Sequence, residues 1–231
     1  MVARLDCCIL WNMPKQIQPV NEIAPCRLYI VRHGETEFNV SAHIQGVVDS
    51  PLTEKGIVQA EQRAGEFANI EFAAVYASNL GRAISTAEIL KLDRELIVLT
   101  TELLRERNFG KLEGVPVAVW RETLQGKLAE RDALSAKELY SYVLRDDIET
   151  DEQVFTRCNT VMREIAVAYP GKNVLLVSHG SVMRTILIHL GHGTPQELGS
   201  HVVTNLGYFV LESDGIDFTI LETHGIAKSD L

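Results

Sequence analysis

The chain has 231 residues, 46% hydrophobic and 23% charged, with a formal net charge of -9 from 31 acidic and 22 basic residues. That length supports one large α/β domain with a sizeable core. The acidic balance argues against nucleic acid or an anionic membrane surface as the main partner, while leaving room for a local cationic pocket.

Residues 1–26 read as an extension ahead of the folded domain. The apolar "CCILW" is short, and Asp6 interrupts the "MVARLDCCILWNMP" stretch, so it reads as a poorly ordered extension or a surface strand and not as a signal peptide, and no run of the sequence approaches membrane-spanning length. Cysteines at 7, 8, 26 and 158 match no zinc spacing. They read as reduced thiols of a cytoplasmic protein.

"RLYIV" (27–31) is the first buried strand. Thr53 then caps a helix whose apolar stripe is Ile57, Ala60, Ala64 and Phe67. "FAAVYAS" (72–78) is a second strand, followed by a helix over 80–91 with Leu80, Ala83, Ala87 and Leu90 on one face. "ELIVLT" (95–100) is a third strand, and it runs into the glycine-punctuated loop "LLRERNFGKLEG". Residues 115–150 carry many charges over a weak apolar stripe, which predicts a mostly helical excursion covering the domain. A long amphipathic helix follows, with Val154, Cys158, Val161, Ile165 and Ala168 in line, stopped by Pro170-Gly171. "NVLLVS" (173–178) is the fourth strand, and a helix closed by Gly191 comes directly after it. Two last strands around Ser213-Asp214-Gly215 form a hairpin. This alternation predicts an α/β three-layer sandwich, a mostly parallel sheet with helices on both faces and an antiparallel C-terminal edge. There is no internal repeat or linker, so 27–231 reads as a single domain.

Two strands end alike. "LYIV" runs into Arg32-His33-Gly34, and "VLLVS" runs into His179-Gly180. Ligands of open α/β sheets bind beyond the carboxyl ends of parallel strands. Neighbouring strands would therefore bring His33 and His179 face to face. Arg82 lies in the first turn of the helix after "VYAS", a poor place for a cation unless it pairs with an acid or an anion. Glu106 follows the third strand closely enough to overhang the same edge, whereas Glu113 is better placed to hold the loop through Phe109 and Leu112. The chain lacks a lysine-containing phosphate loop, a G-x-S-x-G elbow and a carboxylate cluster for magnesium. Two histidines, two arginines and a carboxylate without a metal suit a phosphate dianion. A neutral imidazole can attack phosphorus, and a protonated carboxyl can supply the leaving alkoxide with a proton.

These motifs resemble those of the histidine phosphatase superfamily, the fold shared with cofactor-dependent phosphoglycerate mutase, over about residues 27–223. "LYIVRHGETEFN", "YASNLGRAISTAE", "LLRERNFGKLEG" and "VLLVSHGSVMR" match its four signatures in order. The resemblance implies that His33 is the nucleophile, that Arg32, Arg82 and His179 clamp the phosphate, and that Glu106 is the acid and later the base. It further implies that Asn39 contacts the transferred phosphate, with Gln45 and Gly46 as weaker substrate contacts. The expected enzyme is a phosphatase that needs no metal or cofactor and acts on a small phosphorylated metabolite. A homodimer is compatible with this reading. No two Lys or Arg residues are adjacent, the interval from Gly114 to His179 is short, and Ser181 stands where mutases typically have Asn. These features favour a phosphatase over a mutase-type phosphotransferase. A catalytically silent phospho-ligand binding module is the remote alternative. Arg121, Lys127 and Arg131 of the excursion are candidates for a second anion, or simply solvated helix charges.

Overall fold

Leu28 and Ile30 of the first strand are buried on one side and Val31 on the other, so this strand lies inside a sheet covered on both faces. The computed structural model describes residues 24–228. Most of the extension read over 1–26, with Cys7 and Cys8, lies outside the described residues. In chain order the elements are β1 (Cys26–Arg32), α1 (Glu37–Val40), α2 (Glu54–Glu66), β2 (Phe72–Ser78), α3 (Gly81–Leu90), β3 (Val98–Thr101), α4 (Val117–Thr123), α5 (Gln125–Asp132), α6 (Ala136–Tyr140), α7 (Asp151–Ala168), β4 (Asn173–Ser178), α8 (Gly180–His189), β5 (Val203–Ser213) and β6 (Phe218–Ile226).

The six strands form one sheet in the order β3-β2-β4-β1-β5-β6. β1, β2, β3 and β4 run parallel, and the β5–β6 hairpin adds antiparallel pairing beside β1. Alternation along each strand divides the core in two. Leu28, Ile30, Val174, Leu176, Phe209 and Leu211 face α7 and α8. Val31, Leu175, Val177 and Val210 face α2 and α3, whose Ala60, Ala64, Ala83 and Ala87 let the helices sit close to the strands. A third small cluster, Leu112, Trp120, Leu124 and Ile148, holds the helical excursion together.

Thr53 caps α2 as expected, its hydroxyl accepting from the Gly56 amide at 2.9 Å, which is worth about 1 kcal/mol. Several local readings need correction. β1 begins at Cys26, one residue inside the expected extension. β3 starts at Val98 rather than 95, and Ile97 is exposed. Ile57 also faces solvent, so the buried stripe of α2 starts at Gly56 instead. On α7, Ala168 is exposed, while Met162 and Ala166 complete the stripe. An apolar side chain near an element's end fits a periodic pattern whether or not anything lies opposite it.

Candidate active site

The parallel register pairs Arg32 with Ser178, one residue before the two histidines. His33 and His179 therefore leave adjacent strands side by side, with ring centroids 5.2 Å apart, and both are buried. The His33 Nδ1 lies 2.7 Å from the Gly34 carbonyl oxygen. A carbonyl only accepts, so Nδ1 carries the proton and Nε2 keeps its lone pair. Burial, followed by the charges of Arg82 and Arg32, holds the His33 imidazole well below its usual 6.5. Burial and Arg82 do the same at His179, with His33, Arg157 and Arg32 adding to it. Both rings are neutral at neutral pH.

Arg82 projects from the first turn of α3 and is only 1% exposed. Its guanidinium donates to the Gly46 carbonyl at 2.7 Å, the Val48 carbonyl at 3.0 Å and Asp49 Oδ1 at 2.8 Å. Arg32 donates to the Val203 carbonyl at 2.6 Å. Gly180 lets this guanidinium pass, because a Cβ there would stand 3.2 Å from Arg32 Nε. Of the seven buried side-chain polar atoms without a partner among the described residues, five lie here: Arg32 Nε, Arg82 Nε, both His179 nitrogens and Gln45 Oε1. Leaving such atoms unmatched costs about 1–3 kcal/mol each. Concentrated in one place, they mark a site built for a ligand rather than for stability.

The segment after β1 forms the rim. Thr36 caps α1, and Asn39 Oδ1 accepts from the Thr36 amide at 3.2 Å and from Asn205 Nδ2 at 3.2 Å. With that oxygen engaged, the Asn39 amide group is left to donate. Asn205 also donates to the His33 carbonyl at 3.1 Å, tying β5 to the strand tip. Gln45 Nε2 donates to Thr36 Oγ1 at 2.6 Å, and Gly46, at φ 59°, braces Arg82 through its carbonyl. Glu113 fastens this rim from the opposite loop. Its carboxylate accepts from the amides of Val47, Val48 and Phe109 at 2.9–3.1 Å.

Glu106 meets the N-terminus of α8, accepting from the Ser181 amide at 3.0 Å, the Val182 amide at 3.2 Å and the Arg107 amide at 2.7 Å. Its loop is gripped from behind by Arg157 of α7, which donates to the carbonyls of Leu103 (2.9 Å), Arg105 (2.7 Å) and Glu106 (3.2 Å). Glu149 completes the grip, pairing with Arg157 at 3.0 Å and accepting from the Asn108 amide at 2.8 Å. Arg107 reaches Ser181 Oγ at 3.1 Å, Thr185 Oγ1 at 2.9 Å and Asp151 at 2.6 Å. His189 and Arg107 hold the Asp151 carboxyl below its usual range against the opposing effect of burial.

A cavity of about 200 Å³ opens over these groups. Arg32, His33, Asn39, Gln45, Gly46, Arg82 and Glu106 line it, and His179 is buried beside His33 with both ring nitrogens unpartnered among the described residues. Arg121 and Arg131 also line it; Lys127 instead pairs with Glu130 at 3.0 Å on the outside of the excursion. The sequence reading missed Arg107, Arg157, Arg184 and Asn205. Asn205 had a signal, since an asparagine is out of place within a strand. Arg184 had one too, as a cation inside the apolar run "VMRTILI". Among the described residues no three His, Cys, Asp or Glu side chains are grouped to hold a metal ion.

The model of the histidine phosphatase superfamily (branch 1) matches residues 28–224. An uncharacterized phosphatase of Bacillus subtilis, PhoE, is 29% identical over 174 residues, 75% of this chain and 82% of its own length. The metal-independent phosphoserine phosphatase of Arabidopsis thaliana is 33% identical over 171 residues, 71% of this chain and 68% of its own. The crystal structure of phosphoglycerate mutase from Bacillus anthracis superposes with a TM-score of 0.75 at 27% identity, covering 89% of this chain and 95% of that one. The chain belongs to the histidine phosphatase superfamily and is an enzyme of its phosphatase type.

Proposed function

We propose that the protein hydrolyses a small phosphomonoester without a metal ion, through a phosphohistidine at His33. The carrying observation is the His33 ring: neutral, with Nδ1–H held by Gly34, and so presenting a lone pair on Nε2. That lone pair attacks phosphorus as the ester P–O bond breaks, and Glu106 gives its proton to the departing alkoxide. Glu106 then takes a proton from water; the water oxygen attacks phosphorus, and the P–N electron pair returns to Nε2. Arg32, Arg82 and a His179 N–H stabilise the charge spread over the phosphoryl oxygens. Asn39 supplies a further donor, and Gln45 and Gly46 shape the rim.

A mutase-type phosphotransferase is the second reading, favoured by the fold match to a phosphoglycerate mutase. The absence of adjacent basic residues and Ser181 beside Gly180 weigh for hydrolysis. Turnover of p-nitrophenyl phosphate in excess EDTA tests the proposal. Sustained release of phosphate supports it; loss of activity restored by magnesium overturns the metal-free mechanism. Phosphoryl transfer between phosphoglycerates that outpaces hydrolysis would install the second reading.

A further inference from the structure

A guanidinium carries five N–H donors, and three of those on Arg82 are already taken. Nη1 donates to the Val48 carbonyl at 3.0 Å and to Asp49 Oδ1 at 2.8 Å, and Nη2 donates to the Gly46 carbonyl at 2.7 Å. Nε has no partner among the described residues. Nε–H and one Nη2–H are therefore left for an anion, a pair suited to bidentate capture of a phosphoryl group.

Asp49 is the unusual member of this set. The Arg82 side chain is fully buried, that of Asp49 is 36% exposed, and Asp49 does not line the cavity. It gives the buried cation its countercharge from behind the wall, on the Nη1 side, and leaves the Nε side open. Its second oxygen, Oδ2, accepts from the Gly81 amide at the start of α3, where Leu80 in the capping position makes no side-chain bond. One carboxylate thus holds both the tip of Arg82 and the first amide of the helix that carries it.

Gly81 supplies an independent sign that this contact is built in. Its φ lies outside the left-handed region, so the backbone does not require glycine there, and alanine is the better helix former. A Cβ at Gly81 would stand 2.7 Å from Asp49 Oδ2. What the glycine provides is room for the carboxylate.

We propose that Asp49 is a positioning residue for phosphoryl transfer. It locks Arg82 with Nε–H and one Nη2–H turned toward the phosphoryl oxygens, and Gly81 is its seat. The inference rests on the phosphatase reading, so no turnover of p-nitrophenyl phosphate by the wild-type protein would overturn both.

Given wild-type turnover, kcat, KM, inhibition by vanadate and Tm are measured for Asp49→Ala, Arg82→Gln and the double variant. Asp49→Ala should lower kcat about 10-fold or more while KM moves less. Inhibition by vanadate, which resembles the five-coordinate transition state, should weaken in step with kcat. In the Arg82→Gln background the same substitution should change kcat by less than about 2-fold, because its effect runs through Arg82. Gly81→Ala, which displaces the carboxylate without removing it, should lower kcat in the same direction even though alanine favours the helix. A residue that only caps α3 would lower Tm and leave kcat unchanged, or would lower kcat by the same factor with and without Arg82. Either result overturns the inference while leaving the phosphatase reading intact. Asp49→Asn, of the same shape, keeps the test decisive if Asp49→Ala fails to fold.

Discussion

The inner and outer ends of the cavity are built on different principles. At the inner end, backbone geometry fixes every group: β1 and β4 deliver His33 and His179 in register, and α3 delivers Arg82. At the outer end, short helices of the excursion supply Arg121 and Arg131, and these helices pack on the small cluster of Leu112, Trp120, Leu124 and Ile148. On the proposed mechanism the inner end serves the one step that every substrate shares, the transfer of a phosphoryl group. The outer end is free to vary with whatever carries that group. Damage inside should lower kcat on every ester, while damage outside should change which ester is preferred.

Glu106→Gln should give the largest break in that comparison. Alkyl phosphates, whose leaving group needs a proton, should slow by about 10²–10⁴-fold. p-Nitrophenyl phosphate, whose leaving group needs none, should slow far less in the phosphorylation step. Equal losses on both substrates would move the acid elsewhere. Arg82→Gln comes next, with kcat falling roughly 10²–10³-fold, as expected for a lost oxyanion donor. Because Arg82 also holds Gly46, Val48 and Asp49, the thermal midpoint should drop as well. Unchanged kcat would remove Arg82 from the cradle.

Arg157→Gln sharpens the comparison from behind the wall. Arg157 does not line the cavity, yet it grips three carbonyls of the Glu106 loop. Its loss should cut kcat on alkyl phosphates by about 10-fold or more while leaving their KM nearly unchanged, with a smaller effect on p-nitrophenyl phosphate. A uniform loss on both esters would reduce Arg157 to a role in stability alone.

The smallest effect is on stability against pH. Both imidazoles are neutral in the folded protein, with pKa values well below 6.5. The unfolded chain takes up protons as pH falls below 6.5, and the folded chain does not, so their contribution is full above that value. It declines as pH falls toward the folded pKa. Each imidazole contributes at most ~1.4 kcal/mol per pH unit, and a loss of 1 kcal/mol lowers Tm by about 2–4 °C at this size. Tm should therefore fall several degrees between about pH 7 and 5, and His179→Asn should flatten the slope. A Tm that is level over this range in the wild type would mean that the histidines are not buried neutral.

How much of this was legible follows the same division. β1, β2 and β4 were readable because buried parallel strands are continuous apolar runs with clear ends, and the residues at those ends are the inner site. Glu113 was assigned to holding its loop, and its three amide bonds do so. Arg157 and Arg184 were not readable as site residues. A helical arginine gives no sign of which loop its side chain reaches, and contacts such as Arg157 with Glu106 span 51 positions of sequence. Arg121, Arg131 and Lys127 looked equivalent in sequence. Only the packing of α4 and α5 separates the two that face the cavity from the one that faces outward.

The most direct test of the account is to find where the phosphoryl group goes. The protein is mixed with a ³²P-labelled substrate, denatured rapidly at alkaline pH to preserve a phosphoramidate, and digested for phosphopeptide mapping. The label should sit on the peptide containing His33, vanish in His33→Ala, and persist to some extent in His179→Ala, where the nucleophile remains. Label on His179, or a His33→Ala protein that retains full activity, would contradict the central claim.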